Sequence, residues 1–105
     1  MIRRPGDLIL HDPSAVEPEG FDWTVYLAEL GVGVTISTST WVVSTIVGDA
    51  SPMTLSSPAI VPGNLKTQVT LNAGTVGSKY TLTNHITTST AVQDERSFQV
   101  LVVQR

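Results

Sequence analysis

From residue 32 onward the sequence consists of short runs in which apolar and polar residues alternate, separated by turns rich in glycine and proline. VGVTIS, KTQVTLNA, KYTLTNHIT and SFQVLVVQR have a period of two, which is typical of half-buried strands. GDASP, VPGN and AGTVG lie between such runs and have turn chemistry. The 14 threonines and 14 valines are β-branched and favour a pleated surface. Seven or eight short strands at near-regular spacing predict an all-β sandwich.

The middle of the chain carries two sequence signals for its local geometry. Pro58 interrupts the run MTLSSPAIV and has no amide hydrogen to donate, which predicts an edge strand or a bent strand. VPGN at 61–64 places proline before glycine, the order that a type II turn favours.

The stretch AGTVGSKYTLTN predicts which kind of sandwich this is. In immunoglobulin-like domains a tyrosine begins strand F, and its hydroxyl bonds to the backbone a few residues upstream. Gly74 and Gly77 supply the tight turn, Tyr80 is the corner, and Leu82 stands where antibody domains have a cysteine. We therefore predict an immunoglobulin-like sandwich of about seven strands, with strands E, F and G at 66–73, 79–88 and 96–104. A hairpin tyrosine in another kind of sandwich is the alternative, and Trp41 lies too early to match the strand-C tryptophan.

The run FDWTVYLAEL fits either a strand or one face of a helix that Asp22 would cap. We favour a strand that enters one short helical turn. Both readings place Trp23 and Leu27 in the core, and alternation places Phe98 there as well.

Residues 1–20 hold three of the six prolines and no sustained periodicity. We predict an extended N-terminal arm over 1–20, with a short edge strand at 7–10, and the sandwich over 21–105. A frayed terminus is the alternative. The apolar side chains of the arm are candidate partner contacts: Ile2, Leu8, Ile9 and Leu10.

Composition and motifs argue against several functional classes. The net charge is −3 with scattered basic residues, which does not favour nucleic acid or an anionic membrane as a partner. There is no cysteine, so disulfides, a thiolate nucleophile and a thiolate zinc site are excluded. His85 lies on the outer face of its strand, and His11 with Asp12 has no second ligand pair. We predict no catalytic, cofactor or metal site, and interpret Asp94, Glu95 and Arg96 as a solvated loop or half of an intersubunit salt bridge.

Two parts of the sequence resemble a family of small structural virion proteins of tailed bacteriophages. They are HDPSAV…FDWTVYLAELGVGVTIST…TW and LNAGTVGSKYTLTNHITTST…DERSFQVLV, which together span most of 11–103. Residues 45–65 have no counterpart in the resemblance. The resemblance implies an immunoglobulin-like fibre–tail adaptor, or a tail or neck structural protein, without catalytic activity.

This resemblance implies protein partners and a place in the virion. The expected partners are tail, neck or fibre proteins and further copies of the chain in a symmetric homo-oligomer. The expected contacts are the apolar arm residues together with Asp94, Glu95 and Arg96. A capsid decoration protein and a carbohydrate-binding module are the alternatives, and Tyr26 and Trp41 are the candidate sugar-stacking rings of the latter.

Overall fold

The computed structural model describes residues 1–104, which form eight strands and one short helix. The elements in chain order are β1 (Ile2–Arg3), β2 (Leu8–His11), β3 (Glu17–Asp22), α1 (Thr24–Leu30), β4 (Ile36–Val43), β5 (Thr54–Ile60), β6 (Lys66–Asn72), β7 (Lys79–Thr88) and β8 (Gln93–Val102). The strands form two four-stranded sheets, in the orders β1-β3-β6-β5 and β2-β8-β7-β4. The predicted all-β sandwich with one short helical element is confirmed.

The first two strands attach the N-terminal segment to both sheets. β1 pairs in parallel with β3, and β2 pairs in parallel with β8, while the other neighbouring strands are antiparallel. Inward and outward residues alternate along β2, so that Ile9 and His11 are buried and Leu8 and Leu10 are exposed. The segment predicted as an arm is therefore extended and hydrogen-bonded to the two sheets.

The core lies between the sheets and is filled by the inward-facing residues of most strands. β7 shows strict alternation over ten residues, as expected for a strand with one buried face. The fully buried aromatic and aliphatic side chains include Phe21, Trp23, Leu27, Val69, Leu71, Tyr80, Leu82, Ile86, Phe98, Val100 and Val102.

The predicted change from strand to helix in FDWTVYLAEL is confirmed. β3 ends at Asp22 and α1 begins two residues later. One carboxylate oxygen of Asp22 accepts hydrogen bonds from the hydroxyl and the backbone N–H of Thr24. These two bonds hold the pKa of Asp22 below its ordinary value. Asp22 thus stabilises the first turn of the helix, although Trp23 occupies the N-cap position.

Pro58 and the VPGN turn have the predicted geometry. β5 is an edge strand, and its pairing with β6 is interrupted between Ser56 and Ala59, next to Pro58. The N–H of Asn64 donates to the Val61 carbonyl at 2.9 Å, and Gly63 between them has φ 101°. That positive φ is what the third residue of a type II turn requires.

Two expectations are wrong. VGVTIS is not a strand of its own: only its last two residues belong to β4 (Ile36–Val43), because Gly33, with φ 76°, turns the chain before the strand begins. The segment containing Asp94 lies in β8 and not in a loop, because the β7–β8 ladder continues to Thr87 opposite Gln93.

Candidate functional site

The turn at 73–78 is fixed by the buried ring of Tyr80. The Tyr80 hydroxyl accepts the backbone N–H of Thr75 at 3.1 Å, five residues upstream. Gly74 has φ 104°, and a Cβ at this position would lie 2.7 Å from a methyl group of Val102. Gly77 also has a positive φ, 88°, but open space around it. The positive φ angles favour glycine at both Gly74 and Gly77. At Gly74 the close approach of Val102 also excludes a larger side chain.

Asp49, in the loop between β4 and β5, also bonds to the Tyr80 hydroxyl and to the turn before it. Its carboxylate accepts hydrogen bonds from the hydroxyls of Thr75 and Tyr80 and, at 3.1 Å, from the N–H of Ser51. The bonds from Thr75 and then Tyr80 hold the pKa of Asp49 below its ordinary value of 3.8. Sequence reasoning missed this residue, and the available signal was its isolation as the only charged residue between Glu29 and Lys66.

Asn84 is a fully buried polar residue that connects both sheets with the start of the helix. Its side-chain oxygen accepts Trp23 Nε1–H at 3.0 Å and the Thr67 hydroxyl at 2.7 Å. Its side-chain nitrogen donates to Ser39 Oγ at 2.9 Å and to the Thr40 carbonyl at 3.0 Å. All four hydrogen-bonding positions of the amide are used. The sequence signal was a polar residue at an inward position of KYTLTNHIT.

Aromatic rings at the C-terminal end of β3 form one cluster. Trp41 stacks on Phe21, with centroids 5.8 Å apart and planes 4° from parallel, and Tyr26 meets Trp23 edge-on at 5.5 Å. Burial raises the pKa of Tyr26. Both rings considered for stacking on a sugar are thus packed against other rings, which does not favour the carbohydrate-binding alternative.

Arg96 lies against this cluster. Its guanidinium carbon is 4.1 Å from the centroid of Trp23, and Nη1 donates to the Asp22 carbonyl at 3.1 Å. These contacts are a cation–π interaction and a hydrogen bond within the chain. Arg96 is therefore already engaged by its own fold.

The candidate contacts of the N-terminal segment differ in accessibility. Ile9 is 7% exposed and belongs to the core, whereas Ile2, Leu8 and Leu10 are about half exposed. Leu10 lies beside Leu101 of β8 on the outer face of the sheet. We call Leu8, Leu10 and Leu101 the arm patch.

Charged pairs fasten the same segment to the sandwich. Arg3 forms a bidentate pair with the buried carboxylate of Glu19, with Nη2 to Oε1 at 2.9 Å. His11 is buried, and its Nδ1 is 3.1 Å from a carboxylate oxygen of Glu17. Sequence reasoning missed both pairs because their members lie on different strands.

The acidic candidates lie at the other end of β8. Asp94 and Glu95 are exposed, and Glu95 Oε1 is 3.0 Å from Nδ1 of His85. Leu8 is level with Gln99, four positions along the strand from Glu95, so the arm patch and the acidic pair are separated by roughly 13 Å. The arm patch and the acidic pair thus lie at separate positions along β8, and the consecutive residues Asp94 and Glu95 face opposite sides of this strand.

The described part of the chain contains neither a cluster of metal-ligating side chains nor a membrane-spanning helix. Within residues 1–104 no three histidine, aspartate or glutamate side chains come together as metal ligands would. No helix of these residues has the length and apolar character that crossing a bilayer requires.

Comparison with known proteins identifies one family. No curated protein matches the chain. The family model Gp77, described as podophage GP4 fiber-tail adaptor protein gp77, matches residues 11–101 and thus most of the sandwich. This chain therefore belongs to the podophage gp77 fibre–tail adaptor family, a family of phage structural proteins.

Proposed function

We propose that the protein is a non-enzymatic component of the virion that joins tail and fibre proteins and assembles with copies of itself. The family supports the adaptor role. An adaptor needs two separate surfaces, one for each partner, and the arm patch and the acidic pair Asp94 and Glu95 meet this requirement. The capsid decoration alternative receives no support from the family.

The single observation that carries the proposal is the arm patch at the open edge of β2. Leu8 and Leu10 are 53% and 52% exposed, respectively, and lie next to Leu101. Burying such leucines against a partner contributes about 1 kcal/mol or more each, since half of each side chain remains to be covered. β2 is the end strand of its sheet, so a partner protein can reach the arm patch from the side.

Phage particles lacking the gene for this chain can test the arm patch by complementation. The double variant Leu8→Ser and Leu10→Ser is expected to fold and to be absent from purified particles, together with the fibres. Mass spectrometry of the particles measures both losses. The matched control is Val25→Ser with Val47→Ser, two exposed valines outside the patch. Incorporation of the leucine variant at the wild-type level would refute the role of the patch.

The acidic pair is the second proposed contact. Asp94→Asn with Glu95→Gln removes two negative charges without changing side-chain size, so the partner that binds there should dissociate faster. Binding of each purified partner, measured separately, is expected to show a loss for one partner only. An equal loss for both partners would contradict the assignment of two surfaces.

A further inference from the structure

Three of the four sheet edges have features that discourage pairing with another strand, and one edge lacks them. β1 has two residues, β2 has four, and β5 is interrupted by a bulge at Pro58. Short edges, bulges and prolines are the means by which proteins protect edge strands. β4, with the sequence ISTSTWVV, has eight residues, no proline and no charge, and its one irregularity lies at its start. β4 therefore has the fewest of these protective features among the four edges, and β5 lies alongside it across a cleft.

The backbone of β4 offers alternate hydrogen-bonding groups at this edge. The N–H of Ser44 donates to the Thr81 carbonyl at 2.9 Å, which sets the alternation of bonds to β7. By this alternation Ser39, Trp41 and Val43 direct their N–H and C=O groups away from β7. Their side chains face inward, whereas those of the residues between them are exposed.

The charge distribution indicates which partner can approach this edge. Of the nine acidic and six basic residues, Asp49 is the only one within 30–65. Asp49 is occupied by the Tyr80 corner, and both β4 and β5 lie within this uncharged range. Two copies of a chain with net charge −3 repel each other, and they repel least where neither presents charge. A second copy is therefore the partner that this side fits.

The gap between β4 and β5 adds an independent feature. A cleft of ≈ 300 Å³ lies there, lined by residues that include Trp41, Leu55 and Pro58. Among the described residues, Trp41 Nε1 is one of two buried side-chain atoms without a hydrogen-bond partner. A buried donor of this kind costs free energy unless an acceptor reaches it.

We propose that β4 pairs antiparallel with β4 of a second copy around a twofold axis at Thr40. This register places Ser39 of one copy opposite Trp41 of the other and forms about four backbone hydrogen bonds between them. Thr38 then faces Val42, a β-branched pair on the outer side. In this register the Ser39 hydroxyl of the second copy lies opposite Trp41 and supplies an acceptor for Trp41 Nε1–H, which has no partner within its own chain. The inference deepens the proposed self-assembly and rests on it.

Sedimentation equilibrium of the purified chain tests the pairing. The wild type is expected to form dimers, and Thr40→Lys is expected to weaken association at least tenfold, because two lysines would face each other across the axis. Thr81→Lys, on the outer side of β7, is the matched control and should dimerise like the wild type. A wild type that stays monomeric up to about 1 mM (a dimer free energy weaker than about 4 kcal/mol) would overturn the proposal.

Cross-linking tests the register. The chain has no cysteine, so a disulfide in a single-cysteine variant must join two copies. Residues facing each other in a non-hydrogen-bonded antiparallel pair have Cα atoms about 4.5 Å apart, within disulfide range. Oxidised Thr40→Cys should run as a covalent dimer on a non-reducing gel, and Thr81→Cys should not. Equal cross-linking of both variants would contradict the proposed axis.

The failure of this inference can be told apart from the failure of the proposed function. A monomeric wild type that still binds tail and fibre proteins would refute β4 pairing and leave the adaptor role intact. A wild type that dimerises through Thr40 but binds neither tail nor fibre proteins would refute the adaptor role and leave β4 pairing intact.

Discussion

At the scale of single residues, two hydrogen-bonded polar groups help to fix how the sheets and loops fit together: the buried amide of Asn84 and the partly exposed carboxylate of Asp49. Asn84 lies between the sheets with all four hydrogen-bonding positions used, and Asp49 joins two loops at the Tyr80 hydroxyl. Buried polar groups that are fully satisfied specify one arrangement, whereas a missing member leaves its partners desolvated and unpaired. The alternation of KYTLTNHIT gives the inward position of Asn84, but the partners lie on other strands and have no signal in the local sequence.

Replacement of Asn84 tests this network. Asn84→Leu leaves Trp23 Nε1 and the Thr67 hydroxyl buried without partners, at about 1–3 kcal/mol for each group. We expect the free energy of unfolding to fall by about 2–5 kcal/mol, measured by urea unfolding with tryptophan fluorescence. Thr81→Ala, an outward-facing change on the same strand, should stay within about 0.5 kcal/mol of the wild type. A stable Asn84→Leu protein would show that the network is not needed.

The Asp49 carboxylate predicts an acid-sensitive part of the stability. Its pKa is lowered in the folded state by the hydroxyls of Thr75 and Tyr80, so the unfolded state binds a proton more readily. The stabilisation is complete above the ordinary value of 3.8 and is lost as the pH falls below it through the folded-state pKa. Thermal unfolding from pH 7 to pH 2 should show the difference between wild type and Asp49→Asn narrowing below pH 3.8. A constant difference would refute the prediction.

At the scale of elements, local patterns and long-range pairings differ in how well the sequence predicts them. β6 and β7 lie where alternation places strands E and F, and Pro58 lies at an edge, because period, turn residues and the missing amide donor are local properties. The parallel pairing of β2 with β8 joins the two ends of the chain and has no local signal. For the same reason, alternation alone could not show that Ile9 faces a core built by β8.

Removal of β1 and β2 tests their contribution to the fold. Deleting residues 1–11 exposes the part of the core that Ile9 covers and leaves the buried carboxylate of Glu19 without Arg3. We expect a loss of about 3–5 kcal/mol in the free energy of unfolding, measured by urea titration. Leu10→Ser changes an exposed side chain of β2 and serves as the control, with a change of less than about 1 kcal/mol. Unchanged stability after the deletion would mean that the segment is dispensable for folding.

At the scale of the whole molecule, the topology limits how fast the chain can fold. Leu8 pairs with Gln99, and each sheet contains a strand from the N-terminal segment and strands from much later in the sequence. Because long loops must close before such pairs form, sandwiches of this kind fold in milliseconds to seconds. Trp23 is fully buried, so its fluorescence reports the formation of the core. Stopped-flow refolding should therefore give a main phase in that time range, and a main phase in microseconds would contradict this expectation.

We also expect β2 to dock late in folding. Ile9→Ala, which removes the buried side chain of β2, should then increase the unfolding rate more than it slows folding. An effect of Ile9→Ala confined to the folding rate would contradict late docking of the N-terminal strand.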